Sequence, residues 1–271
     1  MKQLAGRVAV ITGGASGIGR ATASLLAERG CRLALADVNA EGLEAVAKGL
    51  REGGAAVSTH LVDVADAAQM EALPAAVVAE HGAAHIVVNN AGVTVAANFE
   101  DQSLEDLQWI IGINLWGVIH GCKFFLPLLK EQDEAHIVNL SSLFGFLGVP
   151  SQSSYCATKF AVRGLSEALW VELKDTNVGV TSIHPGGVNT NITTTMRGDD
   201  QELREASADA LARSRGPEAV ARKIVRAIER DRLRAIVGIE AYVGEWLKRL
   251  MPVRTQRLLA NRMKNFAQRA D

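Results

Sequence analysis

Val8-Ala9-Val10-Ile11-Thr12-Gly13-Gly14-Ala15-Ser16-Gly17-Ile18-Gly19 is the stretch on which the fold turns. Val8 to Ile11 is a short apolar run stopped by glycines, the pattern of a strand buried on both faces of a parallel sheet. Ile18 to Arg29 reads as a helix ended by Gly30. A glycine turn between such a strand and helix is an anion cradle. Glycines let the backbone approach a pyrophosphate, and the helix offers its unpaired amides and positive dipole end. The spacing is G-x-x-x-G-x-G. A glycine loop alone is a weak signal, and the flanking strand and helix give this one its weight.

Outward from that loop, strand and helix keep alternating. Strands are expected at Arg32–Ala36, Ala56–Leu61, Ile86–Val88, Ala135–Leu140, Val178–Ile183 and Ala235–Gly238. Helices are expected at Glu41–Leu50, Asp66–Glu80 (Asp66 as cap), Ser103–Leu129 as one long helix, Ser154–Lys174, and from Pro217 to about Arg230. With no repeats and no Pro/Gly/Ser linker, this predicts one α/β domain over 1–271. It is a Rossmann-like, doubly wound, parallel seven-stranded sheet flanked by helices. Residues 189–216 form a polar excursion at a strand end, the place for a substrate lid. Residues 240–271 form a helical extension. There Tyr242, Val243, Trp246, Leu247, Leu250 and Met251 share one helical face, expected to dock on the domain or pair with another subunit.

Composition excludes several classes. The net charge of -1 gives no reason to expect nucleic acid as a partner. The charge is uneven, however: from Arg213 to Asp271 there are 15 Lys/Arg against 6 Asp/Glu. A membrane contact by this basic tail is a secondary expectation. Cys31, Cys122 and Cys156 are too few and too scattered for a disulfide framework or a metal site. No signal-peptide pattern opens the chain, and no uninterrupted apolar run looks long enough to span a bilayer. The expectation is a cytoplasmic protein without metal.

Candidate cofactor contacts follow from the strand ends. Asp37 ends the second strand, where a carboxylate can accept hydrogen bonds from both ribose hydroxyls and repel a 2'-phosphate. Ser16 stands before Gly17 where a basic residue would serve a 2'-phosphate, so NAD(H) is favoured over NADP(H). Asp63-Val64 could border the adenine, and Asn89-Asn90-Ala91-Gly92 could pass close beneath the cofactor. Tyr155 and Lys159 lie four apart on one helix and so share a face. An ammonium and a positive nicotinamide ring both favour phenolate, making Tyr155 a general base for alcohol oxidation and, in reverse, an acid. Ser142 follows the fifth strand at the ligand side of the sheet and can hold the substrate oxygen. Asn114, a mediocre helix former inside a helical run, could hold a water linking Lys159 to solvent.

Together these residues resemble the short-chain dehydrogenase/reductase family in its basic single-domain form. The resemblance covers about Arg7 to Thr190: Thr12–Gly19, Asp63-Val64, Asn89–Gly92, Asn114, Ser142, Tyr155-Cys-Ala-Thr-Lys159 and Pro185-Gly186. It implies a tetrad of Asn114, Ser142, Tyr155 and Lys159, with Ser142 rather than Ser141 matching the family's spacing to the tyrosine. It implies a cofactor set of Gly13, Ser16, Gly17, Ile18, Gly19, Asp37, Asp63, Val64, Asn90, Ala91, Gly92, Tyr155, Lys159, Pro185, Gly186, Val188 and Thr190. Within that set Val188 and Thr190 would meet the nicotinamide carboxamide, and Lys159 the nicotinamide ribose. It further implies homodimers or homotetramers built on the two long helices.

The resulting expectation is an NAD(H)-dependent oxidoreductase for a secondary alcohol or its ketone. Ser142, Phe144, Tyr155 and Gly187 would contact the substrate, with Val93, Thr94, Leu143, Phe146 and Met196 lining the cleft. That apolar set, with no Arg or Lys clamp, favours an uncharged, lipophilic small molecule. The alternatives are an NADPH-dependent carbonyl reductase, a non-catalytic dinucleotide redox sensor, and an epimerase of the related extended family. An intact tetrad argues against the sensor, and the glycine spacing argues against the epimerase.

Overall fold

A computed structural model describes residues 1–198 and 201–267. Seven parallel strands form one sheet in the order β3-β2-β1-β4-β5-β6-β7. They are β1 (Val8–Thr12), β2 (Arg32–Asp37), β3 (Val57–Leu61), β4 (Ile86–Asn89), β5 (Ala135–Leu140), β6 (Val178–Pro185) and β7 (Arg234–Val237). The expected doubly wound sheet is thus present. Strand order reverses between β1 and β4, so a crevice opens at their carboxyl ends.

Both sheet faces are covered, and the period-two alternation of the strands sorts their side chains. Ala9, Ile11, Leu33, Leu35, Ile86 and Val88 face a layer that includes α1 (Gly17–Glu28) and α8 (Pro217–Glu229), through Leu26, Ile224 and Ile228. Val8, Val10, Ala34, Val87, Ile137 and Val180 face Met70, Val77, Phe125, Leu129 and Val162 of the opposite layer. That layer holds α3 (Ala67–His81), α5 (Gly117–Lys130) and α6 (Ser153–Glu172). Phe125 is fully buried, an effect worth about 1.5–3 kcal/mol for such a side chain. Local signals set the helix ends. Asp66 accepts from the amides of Ala68 and Gln69, Asn39 caps α2 (Ala40–Glu52), Pro217 opens α8, and Gly82 ends α3 at φ +76°.

The structure departs from the sequence expectation in three places. First, 104–130 is not one regular helix. α4 (Leu104–Ile111) passes through a π-helical turn, Gly112–Trp116, before α5. Such a turn shifts the hydrogen-bond ladder by one residue and often marks a functional position; Asn114 sits at its centre. This stretch is also, by length and composition, long and apolar enough to cross a membrane, although nearly half of it is buried within the fold. Second, the polar excursion contains a helix, α7 (Gln201–Ala212). Third, α9 (Ile239–Leu250) and α10 (Pro252–Ala267) follow β7, but the face expected to dock does not. Ala241 and Gly244 are buried there, while Tyr242, Val243, Trp246, Leu247 and Leu250 are exposed. The small residues make the close contact: a Cβ on Gly244 would lie 2.9 Å from the side-chain ends of Leu143 and Leu147, which would have to shift for a larger residue. Positions 199 and 200 of the excursion and 268–271 of the extension lie outside the described residues.

Candidate active site

The glycine loop is built by close backbone approach. Gly13 (φ +65°) and Gly17 (φ +52°) occupy left-handed conformations that side chains disfavour. A Cβ on Gly13 would lie 2.7 Å from Asn90 Nδ2, and one on Gly19 would collide with the Gly13 carbonyl oxygen. Asn90 fixes this arrangement. Its amide nitrogen Nδ2 donates to the carbonyls of Thr12 (2.9 Å) and Gly13 (3.1 Å). In return Thr12 Oγ1 accepts from the backbone amides of Asn90 (3.0 Å) and Ala91 (3.2 Å). Strands β1 and β4 are thereby fastened at the point where the sheet order reverses. Asp37 supports the loop from the other side: its carboxylate accepts from the amides of Ala15 and Asn39, each at 3.0 Å.

These elements wall a cavity of about 620 Å³. On its surface lie Gly13, Ser16, Gly17, Ile18, Asp37, Asp63, Val64, Asn90, Ala91 and Gly92, together with Ser142, Phe144, Tyr155, Lys159, Pro185, Gly186, Gly187, Val188 and Thr190. The fit to a dinucleotide is good. One end offers a glycine loop and the first amides of α1, for which Ser16 supplies no side-chain cap. Asp37 stands beside that end at the tip of β2. Among the described lining residues the charged groups are Asp37, Asp63 and Lys159, so phosphates would be met by backbone amides rather than by a cationic clamp.

Three expected positions are not on the cavity wall. Gly19 is buried and acts by letting α1 close on the loop. Asn114 is fully buried, and its side chain is already engaged. Oδ1 accepts from Val93 N and Nδ2 donates to Val93 O, both at 2.8 Å. Its placement still touches the chemistry, because a Cβ on Gly92 would be 3.3 Å from Asn114 Oδ1 and 3.5 Å from Lys159 Nζ. Phe146, expected in the cleft, instead stacks on His184 (centroids 4.3 Å apart) in a small core with Leu147, Ile236 and Ala241.

Tyr155 and Lys159 come from α6, and Ser142 from the end of β5. A buried polar chain sets the helix on the strands. Asn89 Nδ2 donates to Asn139 Oδ1 (2.8 Å), Asn139 Nδ2 to Ser166 Oγ (3.0 Å), and Ser166 Oγ to the Val162 carbonyl (2.7 Å). Ser141 Oγ donates to the Lys159 carbonyl. The Lys159 ammonium lies 5.5 Å from the centre of the Tyr155 ring and donates to the Leu140 carbonyl at 2.9 Å. Ser142 Oγ accepts from Phe144 N at 3.1 Å, and the ring of Phe144 packs edge-on against Tyr155.

Burial pushes the Tyr155 phenol up to about 12, and the hydrogen bond with Ser142 opposes this. Burial outweighs that bond, so the chain by itself holds the phenol above its ordinary value. Burial also pulls Lys159 down to about 8. The two values move apart, because desolvation disfavours each charged form separately.

Several wall residues escape the sequence reading. One is Gln152, whose Oε1 accepts at 2.8 Å from Oγ1 of Thr94, the latter expected in the cleft; both line the cavity. Gln152 precedes Tyr155 by one helical turn, which is the signal that could have found it. Leu203, Ser207, Ala210 and Leu211 of α7 also line the cavity, at the i, i+4, i+7, i+8 spacing of a helical stripe. The excursion is held by mutual bonds between Thr94–Ala96 and Arg197. Ala96 N donates to Arg197 O (2.8 Å) and Arg197 N to Thr94 O (3.2 Å). The Arg197 guanidinium stacks 4.0 Å from the centre of the Trp109 ring.

Comparison with known proteins agrees with this geometry. A family profile described as short chain dehydrogenase matches residues 7–201. The chain is similar to SadH of Mycobacterium tuberculosis, named as an oxidoreductase, with 41% identity over 271 residues covering 98% of each chain. It is also similar to the 2,5-dichloro-2,5-cyclohexadiene-1,4-diol dehydrogenase LinX of Sphingobium indicum, at 38% identity over 73% of this chain and 79% of LinX. A solved short chain dehydrogenase/reductase from Burkholderia phymatum, in complex with NAD, superposes with a TM-score of 0.88 at 33% identity. That match covers 92% of this chain and 95% of the other.

Proposed function

The chain belongs to the short-chain dehydrogenase/reductase family and is an oxidoreductase; from that premise we propose that it interconverts a secondary alcohol and its ketone with NAD(H). The observation that carries this reading is the meeting of Ser142, Tyr155 and Lys159 on the wall of the same cavity as the Gly13–Ile18 loop and Asp37.

Bound nicotinamide supplies the hydride acceptor or donor. The chain's own residues do the rest. Ser142 Oγ orients the substrate oxygen and donates to it. Tyr155 takes the alcohol proton during oxidation and returns it during reduction. Lys159, held by the Leu140 carbonyl, places positive charge beside the Tyr155 ring and favours phenolate. Burial is the largest influence and holds the phenol near 12 in the chain by itself, so the positive charge of the oxidised cofactor would have to supply the lowering. Asn114 locks the Val93 backbone and is a positioning residue in this scheme.

Asp37 supports NAD(H) over NADP(H), since no described lining residue near it is cationic and its carboxylate opposes a second phosphate. The substrate region is mostly apolar, with Leu143, Phe144, Val149, Ile192, Met196 and Leu211 around it, which favours an uncharged, lipophilic alcohol. Residues 189–216, including α7, act as the lid. Homo-oligomers would form along 104–130 and on α6, where Ile111 of α4, Trp116 of the π turn, and Phe160 and Val171 of α6 are exposed. Three buried, unpaired cysteines support a reducing, cytoplasmic setting.

The test is NAD-linked oxidation of a panel of secondary alcohols by wild type and Tyr155→Phe. A loss of about 10²–10⁴-fold in kcat with cofactor affinity retained is expected. Equal turnover by both proteins would remove Tyr155 from the mechanism. A protein that binds NAD but turns over no alcohol or ketone would favour the redox-sensor reading.

A further inference from the structure

The side of α9 turned away from the domain is apolar along its length. Ile239 (78% exposed), Tyr242, Val243, Trp246 (59%), Leu247 and Leu250 (67%) recur at helical spacing opposite the buried Ala241 and Gly244. Val253 and Leu258 on α10 are exposed as well. An uncovered strip of this size on a folded chain marks a contact surface.

Its border is cationic. Arg222, Lys223 and Arg226 of α8 line a groove shared with Ile239 and Tyr242. Arg249 lies on α9 itself, and Arg254 and Arg257 follow on α10. None of these six forms an ion pair among the described residues. The nearby acids are already engaged: Glu229 with Arg29, Glu240 with Arg215 and Glu245 with Arg234, leaving Glu218. The patch is thus an apolar ridge carrying a tryptophan and a tyrosine, edged by uncompensated positive charge.

We propose that α9 and the neighbouring ends of α8 and α10 form a docking surface for an anionic lipid membrane. The ridge enters the boundary between headgroups and acyl chains, and the flanking cations meet lipid phosphates. A second copy of the chain fits less well. A two-fold contact would bring two copies of the same uncompensated cationic rim together, whereas the charge calls for an anionic counterpart. The placement has a use. Gly244 packs on Leu143, which lines the cavity, so the membrane-facing helix abuts the wall of the substrate site. The proposal stands on surface geometry and charge and does not require any particular substrate.

The test uses the full chain and co-sedimentation with phosphatidylcholine vesicles, with and without about 30% phosphatidylglycerol. Binding is expected to the anionic vesicles only and to weaken as salt is raised. Arg222→Gln with Arg226→Gln should weaken it by at least about tenfold, as should Trp246→Ser with Leu250→Ser. These side chains are exposed or at the rim, so both variants should keep their thermal midpoint and their turnover of a water-soluble substrate. Wild-type protein that ignores anionic vesicles overturns the proposal without recourse to any variant. So does binding to polyglutamate but not to vesicles, which would point to an acidic protein. So does a fall in oligomer size in Trp246→Ser with Leu250→Ser alongside no vesicle binding, which would make the ridge a subunit interface.

Discussion

The Ser141 hydroxyl donates to the backbone carbonyl of Lys159 at 2.8 Å, tying the end of β5 to the middle of α6. Ser142 and the Tyr155–Lys159 pair are thereby held in register by the residue beside the serine proposed to hold the substrate oxygen. Ser141→Ala should lower kcat about tenfold and leave KM for NAD nearly unchanged, while Ser142→Ala should cost about 10²-fold or more. A Ser141→Ala kcat equal to wild type would mean that helix packing alone keeps the register.

Lys159 gives the chain a stability signature at alkaline pH. Its folded-state pKa of about 8 lies below the ordinary 10.5, so the penalty for burying the ammonium is fully present below pH 8. Above 8 the folded state sheds the proton before the unfolded chain does, and stability rises by about 1.4 kcal/mol per pH unit. The rise should end near pH 10, because Tyr155, held up to about 12, acts in the opposite sense from there. Urea unfolding between about pH 7 and 10 measures this. Lys159→Met should abolish the rise.

Cofactor choice is predicted to rest on Asp37. Removing its carboxylate by Asp37→Ala should lower kcat/KM for NADH and raise it for NADPH, moving the ratio by about 10²-fold. Because the same carboxylate accepts from Ala15 N, Asp37→Asn should retain more of the loop's order than Asp37→Ala. Unchanged ratios in both variants would place discrimination elsewhere.

Gly19→Ala should be the least tolerated substitution in the loop for its size. The added methyl meets the Gly13 carbonyl, a backbone atom that cannot rotate away. About 1–3 kcal/mol of stability should go, along with most of the affinity for NAD. Calorimetry and a fluorescence titration read the two losses separately.

The sequence made the sheet and most of the site legible because their signals are local. Val8–Ile11 is a buried strand by composition, the glycine loop follows it directly, and Tyr155 and Lys159 are fixed by helical period. What stayed hidden depends on tertiary space. The π turn at Gly112–Trp116 has no propensity signature, so Asn114 could be placed on a helix but not in the core with its amide spent on Val93. Apolar periodicity identified the stripe on α9 and left its partner open between the domain, a second subunit and a membrane; the structure removes the first. Small residues pack against the domain instead, because a Cβ at position 244 would press on the side-chain ends of Leu143 and Leu147 and require them to shift. Likewise Phe146 is apolar and adjacent to the cleft, yet the ring of His184 claims it.

The native thiols should be nearly inert. Burial lifts Cys31 to about 11 and Cys122 to about 12, and raises Cys156 as well. At about pH 8 Ellman's reagent should modify the folded chain at least about 100-fold more slowly than the chain in denaturant. Rapid modification of one equivalent would show that a buried cysteine opens to solvent.

His184 has a part that its burial makes easy to overlook. Its Nδ1 faces the Ser142 carbonyl at 3.2 Å, and a carbonyl only accepts, so the proton sits on Nδ1 while Nε2 accepts from Ser182. Desolvation first, and then the cations around it, including Arg234 and Arg163, hold the ring's pKa down to about 3. Throughout the physiological range this imidazole is therefore a spacer of constant charge clamped to the backbone of the serine. Acidity can move protons in the cavity without moving the ruler that positions Ser142, and the shape of the pH–rate curve is left to the phenol, the ammonium and the substrate.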